Sequence, residues 1–560
     1  MVRKIFNFFS KKITGLHEAA YLLGLFAFLS QLAGLVRDRL LAHTFGAGPT
    51  LDVYYAAFRI PDLMFVSIAS IVSMFVLIPI LSDKIQESRE DAQRFLSNIT
   101  SAFFFFIICA SIIIFFIIPW FSRVLYPGFS EAQYQDLILM TRILLASPIL
   151  LGLSNILASA TQIFKKFFVY ALAPILYNIG IILGILIFYP LWGLKGLVFG
   201  VALGALFHVC IQIPAVFKEG LLPIFKINIA WKEVWNIVLV SIPRTITLAL
   251  SHIVSLILVS MASVMPEGSI TIFSFASNLQ AAPLSIIGVS YSVAAFPTLA
   301  QLFSRGETEQ FHQQMVNAIK HILFWSFPAI ILVIVLRAQI VRTILGSGAF
   351  DWNATRLTAA ALALFIISLV ANSLMLLFVR GYYAAGKTRK PLIINMISSV
   401  LTILLAYGGI VLYKTAPGLQ HFFESLLRVQ NSTGSGILVL PAAYSIGMIF
   451  NALIFWFLYR RDFGGHLPRT LYITIVHSLS ASLVAGAIAY IFLSILAPVF
   501  NLNTLMGIFM QGAIAGIAGI ACGILTLKAL RNQELEEIWE AVLGRFWRTK
   551  PIAAPEAQEL

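Results

Sequence analysis

Charge is scarce in this sequence: among 560 residues there are 38 Lys and Arg and only 24 Asp and Glu, together 11% of the chain. With 59% hydrophobic residues and a mean hydropathy of +0.92, too little polar surface remains to solvate a soluble domain. Cysteine is nearly absent, and Cys109, Cys210 and Cys522 all sit inside apolar runs with no paired spacing. That excludes a disulfide framework and a thiolate metal site. The sequence also lacks a phosphate-binding Gly-Lys-Ser/Thr loop, a metal-ligand cluster and a nucleophile elbow, so neither ATP-driven work nor enzymatic chemistry is expected, and no cofactor. Strict alternation is missing too, as residues 103–116 and 329–336 illustrate, which argues against a transmembrane barrel.

What the sequence has instead is long apolar runs. About 14 are long enough to cross roughly 30 Å of hydrocarbon as helices, near 19–42, 52–82, 97–120, 137–163, 167–189, 193–217, 234–263, 270–302, 318–337, 357–385, 391–413, 436–459, 470–497 and 504–528. The fold class expected is an all-α integral membrane protein. The basic N-terminus runs into the first apolar stretch without a small-residue cleavage site, so that stretch is read as the first helix.

The net charge of +14 is explained by where the cations fall. With the N-terminus inside, about 26 of the 38 Lys and Arg lie in cytoplasmic connections and about 7 outside, which the positive-inside rule reads as both termini cytoplasmic. The basic charge is a topology signal, and nucleic acid is not an expected partner.

Offsetting the chain on itself by about 217 to 219 residues aligns Pro79 with Pro297, Arg123 with Arg342, and Pro174 and Asn178 with Pro391 and Asn395. This predicts two parallel six-helix repeats, lobes at 19–217 and 218–459, enclosing a central cavity that opens to alternate sides. Residues 460–528 add two further helices. Residues 1–18 form a basic amphipathic segment, and 529–560 an amphipathic surface helix with a tail.

Charges inside apolar segments are costly, about 3 kcal/mol each at the bilayer centre, and they concentrate between residues 30 and 62. Arg37 and Arg59 are read either as donors to an anionic headgroup, with Asp38 and Asp52 positioning them, or as an ion-pair cluster joining two helices. Asp62 follows Pro61 and either joins that set or satisfies backbone groups freed by the proline. Arg244 either reaches a cavity or meets lipid phosphate at the cytoplasmic interface, and His252 reads as a packing residue. No Asp or Glu falls inside the apolar segments of the second half. Carboxylate coupling would therefore rest on Asp38, Asp52 or Asp62.

The stretch Ser30-Gln-Leu-Ala-Gly-Leu-Val-Arg-Asp-Arg-Leu-Leu-Ala-His-Thr-Phe-Gly-Ala-Gly48, followed by Asp52-Val-Tyr-Tyr-Ala-Ala-Phe-Arg-Ile-Pro61, resembles the amino-terminal signature of the MurJ (MviN) family. These are lipid II flippases of the multidrug/oligosaccharidyl-lipid/polysaccharide exporter superfamily. Ile287-Gly-Val-Ser290, Phe296-Pro-Thr-Leu299, Leu345-Gly-Ser-Gly-Ala-Phe350 and Arg380-Gly-Tyr-Tyr-Ala-Ala-Gly-Lys-Thr-Arg-Lys-Pro391 extend the resemblance over about 20–530. It implies translocation of undecaprenyl-diphosphate-linked peptidoglycan precursor across the bacterial inner membrane, in the company of cell-wall synthesis proteins, through a cationic cavity. Arg37, Asp38, Asp52 and Arg59 match polar family positions. The chain diverges in its cavity arginines: Gln31 and Asn278 stand where the family carries arginine, Phe65 and Val66 replace an arginine pair, and Ser70 replaces a glutamate. Arg244 is then a compensating candidate. The alternatives are a flippase for another polyprenyl-linked saccharide, a cation-coupled multidrug exporter, or a non-transporting scaffold.

Overall fold

The computed structural model describes residues 16–69, 74–430, 432–464 and 469–547. Residues 1–15, Ser70 and the tail from 548 lie outside them, and so do the side chains of Arg244 and Pro79. The described residues are helical with no strand, in line with the all-α reading. Eleven of these helices are long and apolar enough to cross a membrane, or twelve if the bent pair Trp352–Ile367 and Leu369–Ala384 is one span. The protein is a multi-pass membrane protein. Within the run at 52–82 the described residues are helical over Pro49–Ala69 and Met74–Glu87, and 70–73 lie outside them.

The helices that matter below are α1 (Leu16–Phe45), α2 (Pro49–Ala69), α3 (Met74–Glu87), α4 (Arg89–Leu125), α5 (Phe167–Leu183), α6 (Leu194–Cys210), α7 (Trp231–Ser263), α8 (Ser269–Leu284), α9 (Arg469–Leu496), α10 (Leu505–Ala529) and α11 (Gln533–Trp547). Two compact units emerge. The first comprises Met1–Ala282, Val341–Ser368 and Gly386–Phe455; the second, Pro283–Ile340, Leu369–Ala385 and Trp456–Leu560.

In the first unit α1 packs on α5, α5 on α6, and α2 on both the helix Glu131–Leu144 and α7. Lipid offers no hydrophobic drive between helices, so close backbone approach has to supply the attraction. A Cβ on Gly180 of α5 would lie 2.2 Å from the Gly204 Cα of α6, so the pair meets backbone to backbone. Buried hydroxyls turn back on their own helix, as Ser101 does toward the Ser97 carbonyl and Ser111 toward that of Ile107.

In the second unit α9 and α10 form a close pair lined by Ala485, Ala489, Gly519 and Gly523. Leu535 and Ile538 of α11 rest against Phe324, Ala481 and Leu527. Glu534 fixes that contact: its carboxylate accepts from Thr474 and from Asn532 Nδ2 and pairs with Lys320 at 3.3 Å. Burial opposes its charge, but the Thr474 hydroxyl and the Lys320 ammonium outweigh burial and hold the carboxyl below its usual range.

Candidate functional site

The sequence turns sharply at 46–48, which returns the chain so that Arg37 of α1 and Arg59 and Asp62 of α2 line one cavity. Gly46 sits at φ +66°, where a Cβ would meet the Ala349 carbonyl oxygen at 2.4 Å. The turn therefore needs glycine on both conformational and steric grounds.

Around this turn the end of the first unit is tightly shut. Ala349 N–H donates to the His43 carbonyl at 2.9 Å, and Arg39 donates to the Thr343 and Ile344 carbonyls, satisfying the C-terminus of the helix Thr308–Ile344. Asp52 completes the closure. Its Oδ2 accepts from Gly268 N–H at 2.6 Å, and its Oδ1 from the Thr271 N–H at 2.8 Å and hydroxyl at 2.7 Å. A carboxylate borrowed from α2 thus caps the N-terminus of α8, where the helix dipole favours negative charge.

Below that closure lies a cavity of about 260 Å³, lined by Arg37, Tyr54, Tyr55, Arg59, Asp62 and Asn278, with Tyr177, Ser274 and Ser277 completing its polar wall. Every one of these residues belongs to the first unit. The two arginines are held differently. Arg37 donates through Nε and Nη2 to Asp38 Oδ1 at 2.9 and 2.8 Å and through Nη1 to Asn178 Oδ1 at 3.0 Å. Asp38, only 4% exposed, also accepts from Asn278 Nδ2 at 3.2 Å. The chain Asn178–Arg37–Asp38–Asn278 ties α5, α1 and α8 together, and Arg37 is neutralised within it.

Arg59 has no such acid. Its Nη1 donates to Ser255 Oγ at 2.9 Å and its Nη2 to Ser274 Oγ at 3.2 Å, while Nε is buried with no partner. Among the described residues no carboxylate reaches ion-pair distance of this guanidinium. The Tyr55 hydroxyl is likewise buried and unpaired. A buried donor left unmade costs about 1–3 kcal/mol, so Arg59 Nε and the Tyr55 hydroxyl have capacity to take up an acceptor entering the cavity.

The structure thus gathers Arg37, Asp38, Arg59 and Asn278 at one cavity. It does not bring Asp52 or Gln31 there: Asp52 is occupied as a helix cap, and Gln31 is exposed on α1. The backbone of Arg244 is within α7, but its side chain lies outside the described residues. His252 does not line the cavity. Asn178, Tyr54, Tyr55, Tyr177 and the serines of α7 and α8 enter the site although their roles were not read from the sequence. Tyr55, Arg59 and Asp62 recur at i, i+4 and i+7, a single helical face, which was the available signal. For Ser255 no signal existed. Among the described residues no group of His, Cys, Asp or Glu has the makings of a metal site.

The pairing of Arg37 predicts a stability effect as well as a transport effect. Arg37→Ala is expected to cost about 2 kcal/mol, less than a fully buried pair, because it strands the Asp38 carboxylate and Arg37 itself is partly exposed. Adding Asp38→Asn to Arg37→Ala is expected to recover part of that loss in thermal unfolding. Additive losses in the double variant would contradict the pairing.

Known proteins resemble this chain in sequence and in fold. The family model described as lipid II flippase MurJ matches residues 41–510. A probable lipid II flippase MurJ of Thermotoga maritima is 26% identical over 462 residues, covering 77% of this chain and 93% of that protein. The lipid II flippase MurJ of Burkholderia cenocepacia is 23% identical, covering 72% and 86%. Among solved structures, a lipid II flippase MurJ in an inward closed conformation superposes with a TM-score of 0.69 at 21% identity, covering 93% of this chain and 99% of that one. An inward-facing multidrug resistance MATE transporter of the MOP superfamily follows at 0.62 and 15%, covering 78% and 94%. These structures share the fold.

Proposed function

This chain belongs to the lipid II flippase MurJ family, and on that premise we propose that it transports undecaprenyl-diphosphate-linked peptidoglycan precursor, lipid II, from the inner to the outer leaflet of the bacterial cytoplasmic membrane. It works as a transporter and not as an enzyme. The observation that carries this reading is Arg59, a buried guanidinium held by two hydroxyls, with its Nε bare and no acid at contact distance. A diphosphate offers the acceptors that such a fork lacks. Arg37 and Asn278 flank the headgroup, Asp38 positions them, and Arg244 is the further candidate cation. The lobes 19–217 and 218–459 alternate access around the site, 460–528 adds a helix pair, and both termini are cytoplasmic.

The test is transport in liposomes. Purified protein is reconstituted with lipid II labelled on its peptide, and exposure of the label to a membrane-impermeant quencher is followed. The expected result is a rate at least tenfold above protein-free liposomes, suppressed by unlabelled lipid II. Failure with lipid II, but transport of another polyprenyl-linked saccharide, would replace the substrate; failure with every lipid-linked saccharide would overturn the reading.

A further inference from the structure

A second cleft of about 260 Å³ lies in the first unit at the junction of α3, α4 and the connection leading into α7. It is lined by Lys84, Arg94 and Lys226 on the cationic side and by Asp91 and Glu233 on the acidic side. The connection is bound along α4 as a strap. Ser97 Oγ accepts from Ile224 N–H at 2.9 Å, Ser101 Oγ from Lys226 N–H at 2.8 Å, and Asn98 Oδ1 from Ala230 N–H at 2.7 Å. Gln93 Nε2 donates to the Leu222 carbonyl at 3.0 Å. Its apolar side chains point outward: Ile224 is 61% exposed, Phe225 67% and Ile227 90%, with Trp231 just beyond.

Irregular backbone tolerates lipid only when its polar groups are satisfied by protein, and that is what Ser97, Asn98 and Ser101 accomplish. Outward apolar side chains interleaved with lysines place the strap at the boundary between headgroups and acyl chains. The cleft beside it has room for a headgroup and not merely an ion. Its charge is mixed. Lys84 already donates to Glu87 at 2.7 Å and Arg94 lies 3.8 Å from Asp91, so the lining is partly self-paired; a simple anion would still face Asp91 and Glu233 and a simple cation Arg94 and Lys226, whereas a zwitterion satisfies both.

We propose that this cleft binds the phosphoethanolamine headgroup of a membrane phospholipid, phosphate against Lys84, Arg94 and Lys226 and ammonium against Asp91 and Glu233, with acyl chains along Phe225, Ile227 and Trp231. Asn98 positions the acid by donating to Glu233 Oε2 at 2.8 Å. A primary ammonium carries three N–H donors for the carboxylates; the quaternary choline carries none.

The full-length protein in detergent is titrated with dioleoyl phosphatidylethanolamine, phosphatidylglycerol and phosphatidylcholine, and retained lipid is counted by native mass spectrometry. Phosphatidylethanolamine is expected to bind about tenfold more tightly than either of the others. Asp91→Asn with Glu233→Gln is expected to abolish that preference and let phosphatidylglycerol bind at least as well. Lys84→Ala with Lys226→Ala is expected to weaken all three about tenfold, with thermal unfolding confirming an intact fold. Equal binding of the three lipids, or a preference for phosphatidylglycerol in the parent, would overturn the proposal. Binding of glycerophosphoethanolamine as tight as that of the lipid would show that the acyl chains contribute nothing and overturn the lipid assignment.

Discussion

Arg59→Ala is expected to reduce lipid II translocation by about 100-fold or more while leaving the protein folded. The surroundings of the guanidinium set the size of the effect. Two serine hydroxyls hold it, no carboxylate pairs with it at contact distance although Asp62 lines the same cavity, and its Nε is buried without a partner. A charge-assisted hydrogen bond contributes about 1.5–3 kcal/mol, so losing a fork aimed at a diphosphate removes enough binding for a loss of that size. Ser255 and Ser274 lose a partner but can turn back on their own helices, so thermal unfolding is expected to shift little. Arg59→Lys keeps the charge and loses the fork, and an intermediate rate is expected. Rate and stability falling together in Arg59→Ala would instead mark this arginine as a packing element.

Asp52→Ala is expected to act in the opposite way, on the closed end of the first unit and on stability. It strands the N–H groups of Gly268 and Thr271 and the Thr271 hydroxyl, all buried, at a cost of about 3 kcal/mol. Neighbouring contacts cannot easily adjust. Gly268, at φ +86°, lies so close to the Ala47 carbonyl that a Cβ there would sit 2.6 Å from its oxygen. The measurement is thiol labelling of Ala47→Cys in a background with Cys109, Cys210 and Cys522 replaced by serine. With Asp52 in place the cysteine, half-buried at the turn, is expected to react slowly with an impermeant reagent. With Asp52→Ala it is expected to label several-fold faster, and unchanged labelling would show that the cap does not hold this end shut.

How much of this was legible in the sequence depends on the distance over which each residue acts. Arg37, Asp38 and Arg59 stood out because charge in an apolar run is expensive, and all three are at the cavity or one bond from it. Asp52 stood out for the same reason, yet its partners lie 216 and 219 residues away and no local pattern names them. Gln31 was suggested by its place in a family motif. Six residues separate it from Arg37, which at about 100° per residue turns it some 120° around α1, and it is exposed. Asn278 lay on the right face because it follows Ser274 by one helical turn, and both line the cavity. The tyrosines were overlooked because hydrophobic composition hides a phenol among aromatics, although Tyr55 shares a face with Arg59.

The most direct test of the account is growth of a bacterium whose own lipid II flippase can be switched off, carrying this chain or its Arg59→Ala variant at matched membrane levels. Growth is expected with the parent and lysis with the variant. Equal growth with both would contradict the assignment of Arg59 as the cation that meets the diphosphate, and lysis with both, with the parent correctly inserted, would contradict lipid II as the substrate.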